Sequence, residues 1–294
     1  MRVLDYFQPL ALEDALNCLE KSPSTTKILA GGTDLIIQMK ERLVEADYIV
    51  DLANILELKG IVQDGDNLLI GSMVTFSEIE HNHLLNKYIP LLAKAAGAVG
   101  SPQIRNTATI GGNIANAAAA ADSLPTLLAL EAKVRLQKID AQKDVAIEDI
   151  LVGVNKTCIE PDEILTKIII PIPQANTAMT FIKIGRRKAL AIARLNLGLT
   201  LSMDMERKTK KASLALGAVG ITAYRVPQVE ELLMGKAINE DTITAACNLI
   251  AEVVSEKLGT RSTASYKTAV AKAALSKALE NIKAELEGDE SAKN

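Results

Sequence analysis

Tryptophan is absent from this chain, and five tyrosines and three phenylalanines are all the aromatic side chains in its 294 residues. A core built on Ala, Leu and Ile is therefore aliphatic, and a sugar or single-stranded nucleic-acid site that relies on stacked rings is disfavoured. Cysteine is almost as scarce. Cys18, Cys158 and Cys247 lie far apart and form no CxxC pair. Iron–sulfur clusters and structural zinc need several thiolates at close spacing, so neither is encoded locally, and no disulfide framework is present. Such usage points to a reducing, cytoplasmic setting. Charge of one sign is missing too: 33 basic against 36 acidic side chains leave a net charge of −3 without a dense Lys/Arg run. That balance argues against a sequence-independent nucleic-acid binder. Long apolar runs are also lacking. Arg2, Asp5, Glu13 and Asp14 stand where an export signal needs an apolar stretch. Even the alanine-rich residues 115–121 fall short of the ~20 apolar positions of a spanning helix, so a soluble protein is expected.

What is present suffices for two cores. Hydrophobic residues make up 48% of the chain, and a length past ~250 residues favours two domains. Leu12, Ala15, Leu16 and Leu19 recur at helical spacing and predict a first helix. Residues 27–30 read as a buried strand, Gly31-Gly32-Thr33 as a turn, and residues 34–43 as a helix with Leu35, Met39 and Leu43 on one face. A strand over 48–52 completes a βαβ unit. After a strand over 68–71, Thr75 with Glu78 three positions on is a capping-box signature, and another helix is expected over 91–99. Strands are expected over 127–130, 133–136, 145–147 and 164–173, with a linker at the Pro171-Ile172-Pro173 run. A meander over 178–184, 196–203 and 212–219 follows, around the charged turn 206–211. Helices over 226–234, 241–258 and 266–286 close the chain ahead of a polar tail from Gly288.

Two segments carry chemistry. In residues 28–40, paired glycines let backbone approach closely, and the amides that follow sit at a helix N-terminus, where partial positive charge favours anions such as a pyrophosphate. A tight strand–helix turn is the alternative reading. Neither GxGxxG nor GxxxxGKS occurs, so a Rossmann nicotinamide site and a P-loop lose their signatures. The second segment, residues 108–122, repeats the logic: Gly111-Gly112 with amide donors, the Thr109 hydroxyl and the side chains of Asn113, Asn116 and Asp122. Two such turns favour a dinucleotide diphosphate clamped between two loops. His81 and His83 are too few for a metal site and read as helix-end residues, and Arg186-Arg187-Lys188 reads as a solvated turn.

The run Ala30-Gly31-Gly32-Thr33-Asp34-Leu35 and the run Gln103-Ile104-Arg105-Asn106 leading into Thr109-Ile110-Gly111-Gly112-Asn113-Ile114, with Asp122 and Pro125 beyond, resemble the FAD-binding medium subunit of molybdenum hydroxylases. Relatives of that family include xanthine dehydrogenase and carbon monoxide dehydrogenase. Residues 162–171, Phe181-Ile182-Lys183 with Arg187, and Ser265-Tyr266-Lys267 extend the resemblance over nearly the whole chain. It implies an α+β protein with a PCMH or vanillyl-alcohol-oxidase-type FAD-binding domain over residues 1–174, in subdomains of about 1–57 and 58–174. A smaller C-terminal α+β domain of sheet and helices would occupy residues 175–290.

By the same resemblance, Ile28, Leu29, Ala30, Gly31, Gly32, Thr33, Asp34 and Leu35 line the diphosphate and adenosine side of FAD. Thr109, Gly111, Gly112, Asn113, Asn116 and Asp122 complete the clamp, and Ile164 and Leu165 pack near the ring system. Lys183 is placed near the polar edge of the isoalloxazine, where a cation stabilises the charge that reduction creates. A solvated strand residue is the alternative for Lys183. Thr33 is not His, which speaks against histidine-linked FAD, and Ala117 to Ala120 stand where many relatives have Ser-Pro. Ala191 replaces an Asp that often follows the arginine, and Val99 an aromatic against the flavin. The implied function is electron transfer: FAD on this chain accepts electrons from a 2Fe-2S small subunit and passes them to NAD or another acceptor. Molybdopterin would sit on a large subunit, and this chain would hold no metal. Two alternatives are a self-contained flavin oxidase or dehydrogenase of the same fold and a non-enzymatic nucleotide-binding module.

Overall fold

The computed structural model describes residues 5–21, 25–187 and 190–288. Arg2, Lys188 and the tail beyond Gly288 lie outside the described residues. The chain starts with a small parallel unit: β1 (Asp5–Phe7), α1 (Leu12–Glu20), β2 (Thr26–Leu29), α2 (Leu35–Lys40) and β3 (Tyr48–Asp51). Its strands lie in the order β1-β3-β2, all parallel, as the βαβ reading requires. Ala15, Leu16 and Leu19 pack α1 against Val50, Leu52 and Ile55, and Met73 and Ile164 from the next unit close this core. Helix α2 is shorter than its apolar spacing predicts. Arg42 takes a left-handed φ of 60°, a conformation that ends the helix. Met39 stays buried with Ala46 and Ile49, whereas Leu43 leaves the expected face and is 72% exposed.

The second unit holds a five-stranded antiparallel sheet. Its strands are β4 (Ile61–Asp64), β5 (Asn67–Gly71), β6 (Lys133–Gln137), β7 (Gln142–Ala146) and β10 (Ile164–Pro171), in the order β4-β5-β10-β6-β7. Between β5 and β6 run six short helices: α3 (Phe76–His81), α4 (His83–Tyr88), α5 (Pro90–Gly97), α6 (Pro102–Arg105), α7 (Ile110–Asn116) and α8 (Ser123–Ala129). The single turn α9 (Ile147–Ile150) and the hairpin of β8 (Leu151–Gly153) and β9 (Lys156–Thr157) precede β10. Thr75 caps α3 as its spacing predicts: the Glu78 amide donates to the Thr75 hydroxyl at 3.3 Å, and the Thr75 amide donates back to the Glu78 carboxylate at 2.8 Å. Residues 127–130, expected as a strand, instead form the end of α8 and its C-cap. Every residue of α8 is buried, and a short apolar run buried all round has no periodicity to separate helix from strand. Ile147 likewise starts α9 instead of extending β7.

A second antiparallel sheet follows, β11 (Thr177–Gly185), β12 (Ala193–Met203), β13 (Thr209–Gly217) and β14 (Tyr224–Arg225), in sequence order. Alternation along β12 gives it two jobs. Leu195, Leu197, Leu199 and Leu201 face a core shared with α10 (Pro227–Leu233), α11 (Glu240–Leu258) and α12 (Ala264–Glu287). The intervening Asn196, Gly198 and Thr200 face the second unit. Thr200 donates to the Ala129 carbonyl at 3.0 Å, and a Cβ on Gly198 would stand 2.6 Å from the Pro125 carbonyl oxygen. Close approach of the two units therefore needs glycine there. Among the described residues, no helix is long and apolar enough to cross a membrane.

Candidate cofactor site

The turn after β2 and the loop into α7 meet across a cleft. It is lined by Ile28, by residues 30–35, by Thr109, Gly111, Gly112, Asn113 and Asn116, and at its floor by Ser72, Met73, Ile164 and Leu165. Fourteen of the seventeen expected site residues converge there, though they come from three separate stretches of chain. Leu29 does not: its side chain packs beneath the turn against Met39. The glycines divide differently from expectation. A Cβ on Gly31 would lie 2.0 Å from the Thr107 carbonyl oxygen, and one on Gly111 would lie 2.7 Å from that of Ser72. Both glycines let protein backbone approach protein backbone: Gly31 welds the first loop to the second at Thr107, and Gly111 seats the second loop on the end of β5 at Ser72. Gly32, with φ of +69°, makes the turn, while Gly112 faces Ala30, whose Cβ would be 3.4 Å from its own.

Hydrogen bonding separates the two loops further. After β2, the first amide to find a protein acceptor is that of Ile36, which donates to the Gly32 carbonyl at 3.2 Å. The amides of Gly31, Gly32, Thr33, Asp34 and Leu35 thus have no acceptor among the described residues. In the second loop the amides are spent. Ile110 donates to Val74 (3.0 Å), Gly111 to Ser72 (2.9 Å), Asn113 to the Thr109 carbonyl (3.0 Å) and Gly112 to the Thr109 hydroxyl (3.2 Å). The paired amide clamp expected from the repeated GG is therefore corrected: one loop supplies N–H donors, and the other supplies space and the Asn113 and Asn116 side chains. Physically, α7 starts inside the fold and must satisfy its own first turn, whereas the residues ahead of α2 line the cleft with their amides unspent.

Asp122 and Lys183 stand outside this cleft and together. Lys183 Nζ lies 2.5 Å from Asp122 Oδ2 and donates to the Ala98 carbonyl at 2.8 Å. Its side chain is 14% exposed, so it is not a solvated strand residue. Burial pushes the Asp122 carboxyl above the usual carboxylate range, while Lys183 and Asn196 pull it back down. Two residues that sequence reasoning missed belong here. Asn196 donates to Asp122 Oδ1 at 2.9 Å. Ser72 closes the cleft floor, 3% exposed, its hydroxyl without a partner. For Asn196 a signal existed, namely a polar residue set among alternating leucines.

A family model described as "FAD binding domain in molybdopterin dehydrogenase" matches residues 2–173, and one described as "CO dehydrogenase flavoprotein C-terminal domain" matches residues 180–282. The chain belongs to this flavoprotein family. It is 31% identical to the nicotinate dehydrogenase FAD-subunit of Eubacterium barkeri, over 98% of this chain and 99% of that one. It is 32% identical to the carbon monoxide dehydrogenase medium chain of Afipia carboxidovorans, over 95% and 96%. The solved carbon monoxide dehydrogenase of Hydrogenophaga pseudoflava superposes with a TM-score of 0.90 at 28% identity, over 97% of this chain and 98% of that one. The protein is thus an FAD-binding oxidoreductase subunit of the molybdenum hydroxylase type, with the α+β fold of those flavoproteins.

The residues present fit FAD. Unpartnered amides suit a diphosphate, and the bare Cα of Gly112 leaves room beside them. His81 Nδ1 contacts the Ser77 carbonyl at 2.8 Å within α3, and His83 opens α4. Among the described residues, no three His, Cys, Asp or Glu side chains gather to hold a metal. Arg187 donates to the Leu190 carbonyl at 2.7 Å. Ser72 gives a direct test of the unligated protein. A buried unsatisfied hydroxyl costs free energy that alanine does not, so Ser72→Ala is expected to raise apo-protein stability by about 1 kcal/mol in urea unfolding. A loss of stability instead would show that the hydroxyl already has a partner.

Proposed function

We propose that FAD binds noncovalently across the cleft, its diphosphate against the amides of residues 31–35 and its ring system toward Leu165 and the Asp122–Lys183 pair. The observation that carries this is the row of five consecutive amides without acceptors, opposite a glycine that a side chain would obstruct. Ile28, Ile164 and Leu165 supply apolar walls that exclude water. Asn113 and Asn116 add side-chain donors, and Lys183 holds positive charge beside the edge of the isoalloxazine that becomes anionic on reduction. Bound FAD supplies redox chemistry between one-electron and two-electron carriers. In this reading a 2Fe-2S small subunit delivers the electrons, NAD or another soluble acceptor removes them, and a molybdopterin-binding large subunit carries out hydroxylation, all in the cytoplasm. With three dispersed cysteines, this chain lacks the four thiolates a 2Fe-2S cluster needs. Residues 1–174 would bind the cofactor and 175–290 would brace it.

Titrating the apo-chain with FAD tests the reading. Stoichiometric uptake, with the flavin bleached by dithionite and by NADH, is expected. Failure to take up FAD would refute cofactor binding, and bleaching by dithionite but not NADH would remove NAD as the acceptor. Turnover of a small organic substrate by the lone chain would favour a self-contained enzyme.

A further inference from the structure

The C-terminal sheet reaches the Asp122–Lys183 pair through one side chain. Asn196 is fully buried on the face of β12 opposite its leucines. Its Nδ2 donates to Asp122 Oδ1 at 2.9 Å and to the Ala121 carbonyl at 3.1 Å, with the Ala120 carbonyl at 3.4 Å. The other Asp122 oxygen takes the Lys183 ammonium, which is anchored in turn on the Ala98 carbonyl. One amide therefore fixes a carboxylate, and the carboxylate fixes a cation. Asn196 keeps this place at a cost, because its Oδ1 has no partner. A Cβ on Gly217 would lie 2.1 Å from that oxygen, so the side chain is also closed in from behind. Leucine, as at its neighbours 195 and 197, would fill such a site without an orphaned acceptor. The donor end is what distinguishes Asn196.

We propose that Asn196 is a positioning residue that couples the C-terminal sheet to the flavin by orienting the Asp122 carboxylate and thereby holding the Lys183 ammonium in place. This rests on the reading that the pair borders the isoalloxazine. Among the described residues, Lys183 is the charged group that acts on Asp122 directly. Arg105, paired with Glu80 at 2.8 Å, lines with Lys183, Arg186 and Arg187 a second cavity, separate from the cofactor cleft. Arg194, also on β12, acts on Lys267 together with Arg261. When Asp122 takes up a proton the pair gains net positive charge, so the flavin potential rises as pH falls through that ionisation. Loss of the Asn196 donor makes the proton easier to bind.

The test uses the full chain loaded with FAD, its flavin potential measured by dye equilibration across a range of pH. Asn196→Ala is expected to move the inflection upward by about one pH unit, a tenfold change in the proton affinity of Asp122. Asn196→Asp, with a second carboxyl beside the first, is expected to move it further. If both variants bind FAD and their profiles coincide with that of the parent, the inference is overturned while the FAD reading stands. If the parent chain takes up no FAD, that reading falls and the inference with it. Should the Asn196 variants fail to fold, Gly217→Ala, which displaces the amide from behind, must shift the profile in the same direction, and an unshifted profile overturns the inference. The parent's own profile provides a check that needs no substitution: without an inflection above the ordinary carboxylate range the proposal fails.

Discussion

Gly31→Ala is expected to abolish practical FAD binding and to destabilise the protein, whereas Gly112→Leu abolishes binding alone. The new Cβ at residue 31 would sit 2.0 Å from the Thr107 carbonyl oxygen and 2.8 Å from its carbon, both backbone atoms that cannot turn aside. The turn must move, and overpacking of this kind costs about 1–3 kcal/mol. Movement also displaces amides that would face the diphosphate. Each hydrogen bond to a charged group contributes about 1.5–3 kcal/mol, so losing two weakens FAD binding by a factor on the order of a hundred or more. At Gly112 the Cβ itself meets only the Thr109 hydroxyl at 3.0 Å and Ala30 at 3.4 Å. A leucine there projects into the cleft and blocks the ligand. It also replaces a helical glycine in α7, a change that contributes about 0.5–1 kcal/mol in favour of the apo-protein. Apo urea unfolding and FAD titration of both variants separate these effects. Wild-type affinity in Gly112→Leu would remove the second loop from the site, and unchanged stability in Gly31→Ala would contradict the welded-loop geometry.

How much of this was legible in the sequence depends on the range over which each signal acts. The Thr75–Glu78 capping box is local, both partners lying within one helical turn, and it appears as its spacing predicts. The β2–α2–β3 crossover and the leucines of the final helices follow from periodicity, which also acts locally. Residues 127–130 were not legible, because an apolar run buried on every side carries no periodic contrast. Leu43 departs from the face its spacing predicts because the left-handed Arg42 interrupts a pattern that hydrophobicity alone would continue. At the site, the glycine pairs marked the loops but not the atoms they must approach: Gly31 meets Thr107, 76 positions on. Whether an amide is free or spent depends likewise on Ser72 and Val74, strand-end residues with no motif of their own. Asp122 and Lys183 are marked only by the family resemblance, and nothing in their separate stretches of sequence signals that they pair.

That pairing sets the second large effect. Lys183→Met leaves the Asp122 carboxylate buried with Asn196 as its remaining side-chain partner, and breaking a buried ion pair from one side costs about 3–5 kcal/mol. Burial already raises the Asp122 pKa, against the lowering by Lys183 and Asn196. The folded protein thus binds this proton more tightly than the unfolded chain, whose carboxyl titrates near 3.9. The stability Asp122 contributes is therefore fully present below that pH and is lost as pH rises through the folded pKa, above which it levels off. Asp122→Asn removes the titration, so the stability difference between parent and variant must change across this window and be flat above it. In Lys183→Met the lowering influence of the ammonium is gone, the folded pKa climbs further, and the loss of stability extends to higher pH. Urea unfolding of the parent, both single variants and the double variant over a pH series closes the cycle. A coupling near zero at neutral pH would mean that the ion pair is solvated, contrary to its burial. Flavin potentials must split the singles in opposite directions, with Lys183→Met lower for want of a cation and Asp122→Asn higher for want of its counter-charge. A general loosening of the fold would shift both the same way, so the opposite signs separate an electrostatic role beside the flavin from a merely structural one.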